Sequence, residues 1–124
     1  MSQTTRLVPT LGLAAIVSVM ASTAAFASPY GTWTRPSNGT KVEFYDCGGK
    51  LCGKVIWSKN KDSVGKTIVS GASKTGDNTW KGNLLNTEDG QTYSGVITLE
   101  GPKALSLKGC VLGGIVCKGE TWVK

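Results

Sequence analysis

The sequence predicts an all-β fold, a small up-and-down antiparallel β-barrel of about eight strands with disulfide-stapled hairpins. The prediction depends first on two stretches, 46–53 and 109–117, each of which places a Gly-Gly pair between two cysteines. Glycine readily adopts the positive φ angles of tight hairpin turns, so each stretch is predicted to fold back until its cysteines meet. Turn residues also recur about every ten positions, which is the spacing typical of a barrel or a sandwich.

The individual strands are predicted from the turn signals that separate them. They cover residues 31–35, 41–47, 51–57, 67–70, 79–85, 91–100, 103–110 and a last strand ending at 121–124. The sixth strand alternates most clearly, and its face with Tyr93, Ile97 and Leu99 is predicted to be buried. The polar segment 58–63 lacks this pattern and is the predicted mobile loop.

Closure of the strands into a barrel is favoured because a flat meander would leave two unpaired edges and an uncovered apolar face. Trp33 in the first strand and Trp122 in the last are then predicted to be neighbours. A β-sandwich is the alternative architecture. Strands this short favour an interior that is mostly filled by side chains, although eight strands can also hold one small ligand.

The four cysteines predict two disulfides, and three pairings are possible. Cys47–Cys52 and Cys110–Cys117 are favoured because hairpin geometry brings each pair close before any tertiary contact forms. Crossed pairings stay open, since a closed barrel would make the chain ends neighbours. The cysteine spacing does not match that of structural zinc sites and histidine is absent, so no metal site is predicted.

The beginning of the chain has the pattern of a secretory signal peptide over residues 1–27. Arg6 precedes the apolar run 11–20, and small residues end it with cleavage expected after Ala27. Polar residues and Pro9 interrupt the apolar stretch, so no transmembrane segment is predicted after cleavage. We therefore expect a single β-barrel domain, residues 28–124, in the periplasm or secreted.

The charge of the expected mature chain is basic but dispersed. The full chain has 14 basic and 8 acidic residues, and loss of Arg6 leaves 13 against 8, a net charge of +5. A soluble surface with protected edge strands explains the scattered lysines most simply. Electrostatic attachment to anionic envelope polymers or lipid surfaces is the alternative. Nucleic acid is not an expected partner, because Arg35 is the one arginine after the signal.

The sequence contains no recognisable arrangement of catalytic residues. Nucleophilic serine or cysteine needs an adjacent base, and the sequence has no histidine. Lysines lie near Ser63, Ser70 and Ser73, but both residue types are common in polar loops. The adjacent Glu88 and Asp89 sit in a predicted turn, where acidic residues are ordinary. We therefore expect no enzyme activity, no catalytic residues and no cofactor.

Several motifs resemble those of a bacterial exported family catalogued as domain of unknown function 2147. They are the Gly-Thr-Trp start at 31–33, Cys-Gly-Gly-Lys-Leu-Cys-Gly at 47–53, Asp-Gly-Gln-Thr-Tyr-Ser-Gly at 89–95, and the closing 109–122. The resemblance implies a calycin-like, lipocalin-like small β-barrel in an exported location, with no established activity. The segment between Trp57 and Lys66 is shorter than in the family, which would reduce any ligand mouth that it shapes.

The start at Gly31 is also similar to the Gly-x-Trp motif of lipocalins. In that motif the tryptophan packs near the barrel floor under a basic residue from the last strand. Here Lys124 is the candidate partner of Trp33. Simple filling of a small core by a large aromatic side chain is the favoured explanation of Trp33.

Three function classes remain open. The first is a binding module for a small apolar or sugar-like ligand, with Tyr30, Trp57, Trp80 and Tyr93 as candidate ligand-binding residues and nearby lysines favouring anionic ligands. The second is a protein-protein interaction or inhibitor factor of the cell envelope that acts through its basic surface and the loop 59–65. An enzyme is the third and least supported class.

Overall fold

The computed structural model describes residues 27–124. The predicted signal peptide therefore lies outside the described residues, apart from its last residue, Ala27. Within the described part, no helical segment combines the length and apolarity that a membrane crossing requires.

The described residues form eight antiparallel strands that close into a barrel, with each strand paired to its sequence neighbours and β1 paired to β8. The strands are β1 Gly31–Thr34, β2 Lys41–Asp46, β3 Leu51–Trp57, β4 Thr67–Gly76, β5 Thr79–Leu85, β6 Thr92–Gly101, β7 Ala104–Val111 and β8 Val116–Val123. A single 3₁₀ turn occupies Lys61–Ser63, and a turn with positive φ angles occupies Leu112–Gly114. The predicted all-β barrel is confirmed, and the sandwich alternative is wrong.

Because the strands run up and down, their connections alternate between the two ends of the barrel. The connections 35–40, 58–66, 86–91 and 112–115 lie at one end, which we call the mouth end. The connections 47–50, 77–78 and 102–103 lie at the other end, which we call the floor end. The segment before β1 and the last residue, Lys124, also lie at the floor end.

Inward-facing apolar side chains of all eight strands fill the barrel. The sixth strand follows the predicted alternation, with Ile97 and Leu99 buried. Phe44 and Trp122 meet edge to face, with ring centroids 6.2 Å apart. Buried members of the core are Trp33, Val42, Phe44, Leu51, Val55, Ile68, Val69, Ala72, Trp80, Ile97, Leu99, Leu105, Leu107 and Trp122.

The floor end is closed around Trp33. Its indole N–H donates to the Pro29 carbonyl oxygen at 2.8 Å. The Nζ of Lys124 lies 5.2 Å from the centroid of the Trp33 ring and donates to the Tyr30 carbonyl oxygen at 2.7 Å. Trp33 is part of the core, as the favoured interpretation expected, and Lys124, which directly follows β8, is its basic neighbour, as the similarity to the lipocalin motif suggested.

Closure by the first and last strands is confirmed by the pairing of Thr34 with Val123. Both disulfides join the predicted partners, Cys47 to Cys52 and Cys110 to Cys117. In the first hairpin Gly48 and Gly49 have φ of 74° and 87°, as a tight primed turn requires.

The fourth strand differs from its prediction, because it continues to Gly76 where the sequence predicted an end at Ser70. The segment after Ser70 is polar and contains Gly71, so it lacks the alternation of a regular strand. Gly71 has φ of 95°, and the pairing of β4 with β5 shifts register between Val69 and Ser73. An irregular ladder therefore carries the strand through a stretch with turn-like composition.

We expect removal of the two disulfides to have unequal effects on stability. The pairs are five and seven positions apart, so chain entropy gives each bridge about 2 kcal/mol. Replacing Cys47 and Cys52 with serine should reduce the free energy of unfolding more than replacing Cys110 and Cys117. The reason is that Cys52 is 8% exposed and its replacement would bury a hydroxyl group. Urea unfolding of the two double variants checks this, and equal losses would contradict it.

Close packing of β4 against β5 gives a second expectation. A Cβ added to Gly82 would lie 2.8 Å from Cα of Ala72, a backbone atom that a side-chain rotation cannot move away. Gly82→Ala should therefore lower the free energy of unfolding by about 1–3 kcal/mol. The control is Gly101→Ala, where the added Cβ meets no atom within 4 Å. If Gly101→Ala lowered the free energy of unfolding as much as Gly82→Ala, the loss would be due to replacing a strand glycine in general and not to the contact with Ala72.

Candidate functional site

A cavity of about 300 Å³ opens at the mouth end of the barrel. Its inner wall continues the core and is apolar, formed by Ile68, Leu84, Leu85, Leu107 and Trp122. Its rim is polar and carries Arg35, Asn86, Glu88, Asp89, Tyr93, Lys118 and Glu120. The lining therefore changes from apolar to charged over a short distance towards solvent.

Strand alternation explains this gradient. Trp122, Glu120 and Lys118 are spaced by two along β8, so they point to the same side of the strand, and all three line the cavity. The residue nearest the core is apolar and the two nearer the mouth are charged. A single strand thus provides both the wall and part of the rim.

Glycines on the inner face make room for two of the side chains that line the cavity. A Cβ on Gly95 would lie 2.2 Å from Cγ of Leu84, which lines the wall. A Cβ on Gly109 would lie 3.0 Å from Cβ of Tyr93, which lines the rim. The two side chains on the cavity surface occupy the space that these glycines leave.

Arg35, directly after β1, links two parts of the rim. Its Nε donates to both carboxylate oxygens of Glu120, at 2.9 and 3.0 Å, and its Nη2 also donates to Glu120. Its Nη1 lies 3.3 Å from Glu88, in the β5–β6 connection. The Arg35 side chain is 15% exposed, so the guanidinium is held against the protein. Its hydrogen bond lowers the pKa of Glu120, and the pKa of Arg35 is raised in turn.

A second polar pair lies in the β5–β6 connection. The Tyr93 hydroxyl donates to Asp89, which also accepts from the Gln91 backbone N–H at 2.8 Å. The hydrogen bond from Tyr93 is the main reason that the pKa of Asp89 is lowered. The same bond raises the pKa of Tyr93. The tyrosine is thereby held as a neutral donor beside an ionised carboxylate.

These charges determine which ligands the cavity can accept. Three carboxylates and two cations lie on the rim, and Arg35 is already paired with Glu120 and Glu88. The scattered lysines therefore do not make this cavity attractive to anions. Carboxylate oxygens keep lone pairs that hydroxyl groups can use, and the wall accepts apolar groups.

The structure does not bring the four predicted ligand-binding aromatics into one site. Tyr93 lies on the cavity rim. Tyr30 and Trp80 line a smaller cavity of about 250 Å³ at the floor end, together with Lys50 and Lys74. Trp57 is 47% exposed and lines neither cavity.

The charged rim residues were missed by the sequence predictions. A signal for Glu120 was available, because it is two positions before Trp122 and so belongs to the same inward face. No local signal links it to Arg35, which is 85 positions away. The connection 58–66 lies at the mouth end but does not line the cavity. It is tied back to β3 by hydrogen bonds between Val55 and both Gly65 and Lys66.

Comparison with known proteins establishes the family. Residues 31–124 match the family model described as uncharacterized protein conserved in bacteria (DUF2147). The chain belongs to this family. A search of curated proteins found no match.

A solved structure supports the fold of this DUF2147 protein. Protein HP1028 from the human pathogen Helicobacter pylori is described as belonging to the lipocalin family. It matches with a TM-score of 0.66 at 19% identity, over 80% of this chain and 84% of that chain. The lipocalin-like barrel implied by the sequence resemblance is therefore confirmed. The two disulfides are of the kind that persists in exported proteins.

The paired carboxylates predict a pH dependence of stability. The folded-state pKa values of Glu120 and Asp89 are lowered, so their interactions stabilise the fold above the unfolded-state values of about 4. This contribution is lost as the pH falls through the lowered folded-state values. Glu120→Gln should therefore reduce the free energy of unfolding at pH 7, and the difference from wild type should shrink at pH 3 and below.

Urea unfolding of both proteins across this pH range measures the difference. Glu100→Gln is the control, because Glu100 is exposed on β6 and forms no ion pair among residues 27–124. The control should give a smaller difference at pH 7. A difference for Glu120→Gln that stays constant with pH would refute a charge-based contribution.

Proposed function

We propose that this DUF2147 protein is an exported, non-catalytic binding protein that takes a small ligand, with an apolar body and hydroxyl groups, into the mouth cavity. The observation that carries the proposal is the cavity of about 300 Å³, with one apolar wall and a polar rim. Small-molecule sites have volumes of about 300–1,000 Å³ and combine apolar walls with few polar groups. The volume therefore suits a small molecule or one end of a longer one.

The fold supports binding rather than catalysis. Up-and-down barrels of this type use their interior or mouth for ligands. The similarity to HP1028, described as a lipocalin family member, supports the proposal as an analogy of fold. The predicted signal peptide over 1–27 and the two disulfides support export to the periplasm or beyond.

The rim supports a neutral hydroxylated ligand over an acid. A carboxylate entering the cavity would approach Glu88, Asp89 and Glu120, and it would compete for Arg35 with two of them. A hydroxyl group can donate to these carboxylates while the ion pairs stay intact. Tyr93 is the one predicted site residue on this rim, and Tyr30, Trp57 and Trp80 have no role in the proposed site.

Calorimetric titration of residues 28–124 tests the ligand chemistry. Octyl glucoside, below its critical micelle concentration, should bind about tenfold more tightly than decanoate at pH 7, a difference of about 1.4 kcal/mol. Leu85→Trp fills the cavity and should abolish binding. Ile56→Trp adds the same side chain at an exposed position of β3 and should leave binding unchanged.

Three outcomes separate the possibilities. Preference for decanoate would refute the ligand chemistry, and unchanged binding in Leu85→Trp would refute the cavity as the site. If no probe binds, native mass spectrometry of protein purified from its own envelope shows whether another ligand co-purifies. If no probe binds, no ligand co-purifies and cross-linking captures an envelope protein, the alternative function as a protein-protein interaction factor is favoured.

A further inference from the structure

The large apolar side chains that the structure leaves exposed are concentrated at the mouth end. Nine such residues are exposed among those described, and three of them lie towards the floor end. The six at the mouth end are Ile56, Trp57, Val64, Leu112, Ile115 and Val116. A concentration of this kind marks an interaction surface, whereas single exposed apolar residues are ordinary.

These six residues form two groups on opposite sides of the mouth. Leu112, Ile115 and Val116 belong to the turn between β7 and β8, which we call the hairpin tip, residues 111–116. Ile56, Trp57 and Val64 belong to the end of β3 and the following connection, which we call the facing patch. The connections β3–β4 and β7–β8 are four strands apart in a closed barrel of eight. The two groups therefore flank the opening from opposite sides.

The disulfide and the backbone turn of the hairpin tip keep its apolar side chains exposed to solvent. Leu112 and Ile115 are 72% and 84% exposed. The disulfide between Cys110 and Cys117 lies directly behind them, and Val111 pairs with Val116. The backbone turns through positive φ at Leu112 and the two glycines that follow it. The exposure is thus a built feature of the hairpin.

Lysines accompany both apolar groups. Lys108 and Lys118 are exposed on β7 and β8, four positions before Leu112 and three after Ile115, or roughly 10–13 Å at the rise of a strand. Lys59, Lys61 and Lys66 are exposed in the connection that carries part of the facing patch. At the hairpin tip the apolar residues are therefore foremost and the lysines follow, whereas at the facing patch the lysines lie in the same connection as Val64.

The acidic residues at this end weaken the positive charge only in part. Glu120 and Glu88 are paired with Arg35, and Asp89 keeps its negative charge while it accepts a hydrogen bond from Tyr93, so these three carboxylates offset Arg35 and two of the five lysines named above. Asp62 is the remaining carboxylate, in the connection with three lysines. The charges at the mouth end therefore favour an anionic partner around the two apolar groups.

We propose that the mouth end docks on an anionic lipid bilayer, with the hairpin tip and the facing patch inserted at its surface. Apolar side chains of peripheral proteins enter about 5–10 Å into the boundary between head groups and acyl chains. Lysines 10–13 Å behind the tip then lie at the level of the phosphates, where each adds attraction to anionic lipid. Trp57 suits this boundary, because tryptophan is enriched there.

A bilayer fits these features better than a protein partner does. Lysine is depleted from the cores of protein interfaces, whereas here it accompanies both apolar groups. The groups are small and separated by the cavity opening, so a flat, deformable surface can contact both. Docking goes beyond ligand binding and does not require it, although it would present the cavity to the membrane.

Vesicle binding of residues 28–124 tests this proposal, because the strands and the core all lie in this range and the apolar segment 11–20 is absent. The vesicles contain phosphatidylethanolamine and phosphatidylglycerol in equal parts, and brominated acyl chains serve as quenchers. Trp33, Trp80 and Trp122 are buried and Trp57 is exposed. Binding should therefore quench the Trp57 emission, and Trp57→Phe should lose the quenched component.

Two matched double variants locate the docking surface. Leu112→Asn with Ile115→Gln should weaken vesicle binding about tenfold, since binding scales with buried apolar area. Asparagine tolerates the positive φ of Leu112, so this variant is expected to fold, which circular dichroism checks. Tyr30→Gln with Tyr45→Gln removes exposed apolar area at the floor end and should bind like wild type. Leu85→Trp should also bind normally, which separates docking from cavity binding.

The remaining measurements test the dependence of vesicle binding on charge and the self-association of the protein. Binding should fall at 0.5 M salt and with vesicles of phosphatidylcholine alone. Absence of vesicle binding by the wild type would overturn the proposal, as would an equal loss in the floor-end variant. Analytical ultracentrifugation that shows dimers dependent on Leu112 and Ile115, without vesicle binding, would instead assign the hairpin tip to a second copy of the chain.

Discussion

The barrel depends on the closure of one seam, where the short strand β1 meets β8. Their ladder has a single residue pair, Thr34 with Val123, which is fewer than in any other pair of neighbouring strands. Side chains extend the closure at both ends. At the floor end Lys124 donates to the Tyr30 carbonyl oxygen, and at the mouth end Arg35 binds Glu120. Each bond joins a residue flanking one of the two strands to the other side of the seam.

Because Arg35 completes the seam, the polar rim of the cavity contributes to the fold as well as to the proposed ligand site. A ligand that displaced Glu120 from Arg35 would weaken the closure beside the opening that it occupies. A ligand that uses the remaining lone pairs of Glu120 leaves the seam intact. The ligand that disturbs the fold least is therefore one whose hydroxyl groups donate to Glu120 while its bonds with Arg35 persist. A neutral ligand of this kind also agrees with the excess of negative charge on the rim.

The features that sequence could predict are local in the chain. Gly48 and Gly49 require positive φ and place Cys47 beside Cys52, so the turn, the disulfide and the hairpin follow from eight consecutive residues. The extension of β4 past Gly71 could not be predicted, because its partner strands impose an irregular ladder on a polar segment. The rim was unpredictable for a related reason, since Arg35 and Glu120 are 85 positions apart.

The scatter of the predicted aromatic residues follows from the same topology. Trp80 is the second residue of β5 and Tyr30 precedes β1, so both lie at the floor end. Trp57 ends β3 and Tyr93 is the second residue of β6, so both lie at the mouth end. The direction of a strand determines at which end of the barrel a residue lies. Side-chain alternation along the strand determines whether the residue faces the interior or the solvent. Tyr93 faces the cavity and Trp57 faces solvent. The mouth end therefore has two aromatic surfaces with different surroundings: an inner one beside carboxylates, suited to a hydroxylated molecule, and an outer one beside lysines, suited to anionic lipid.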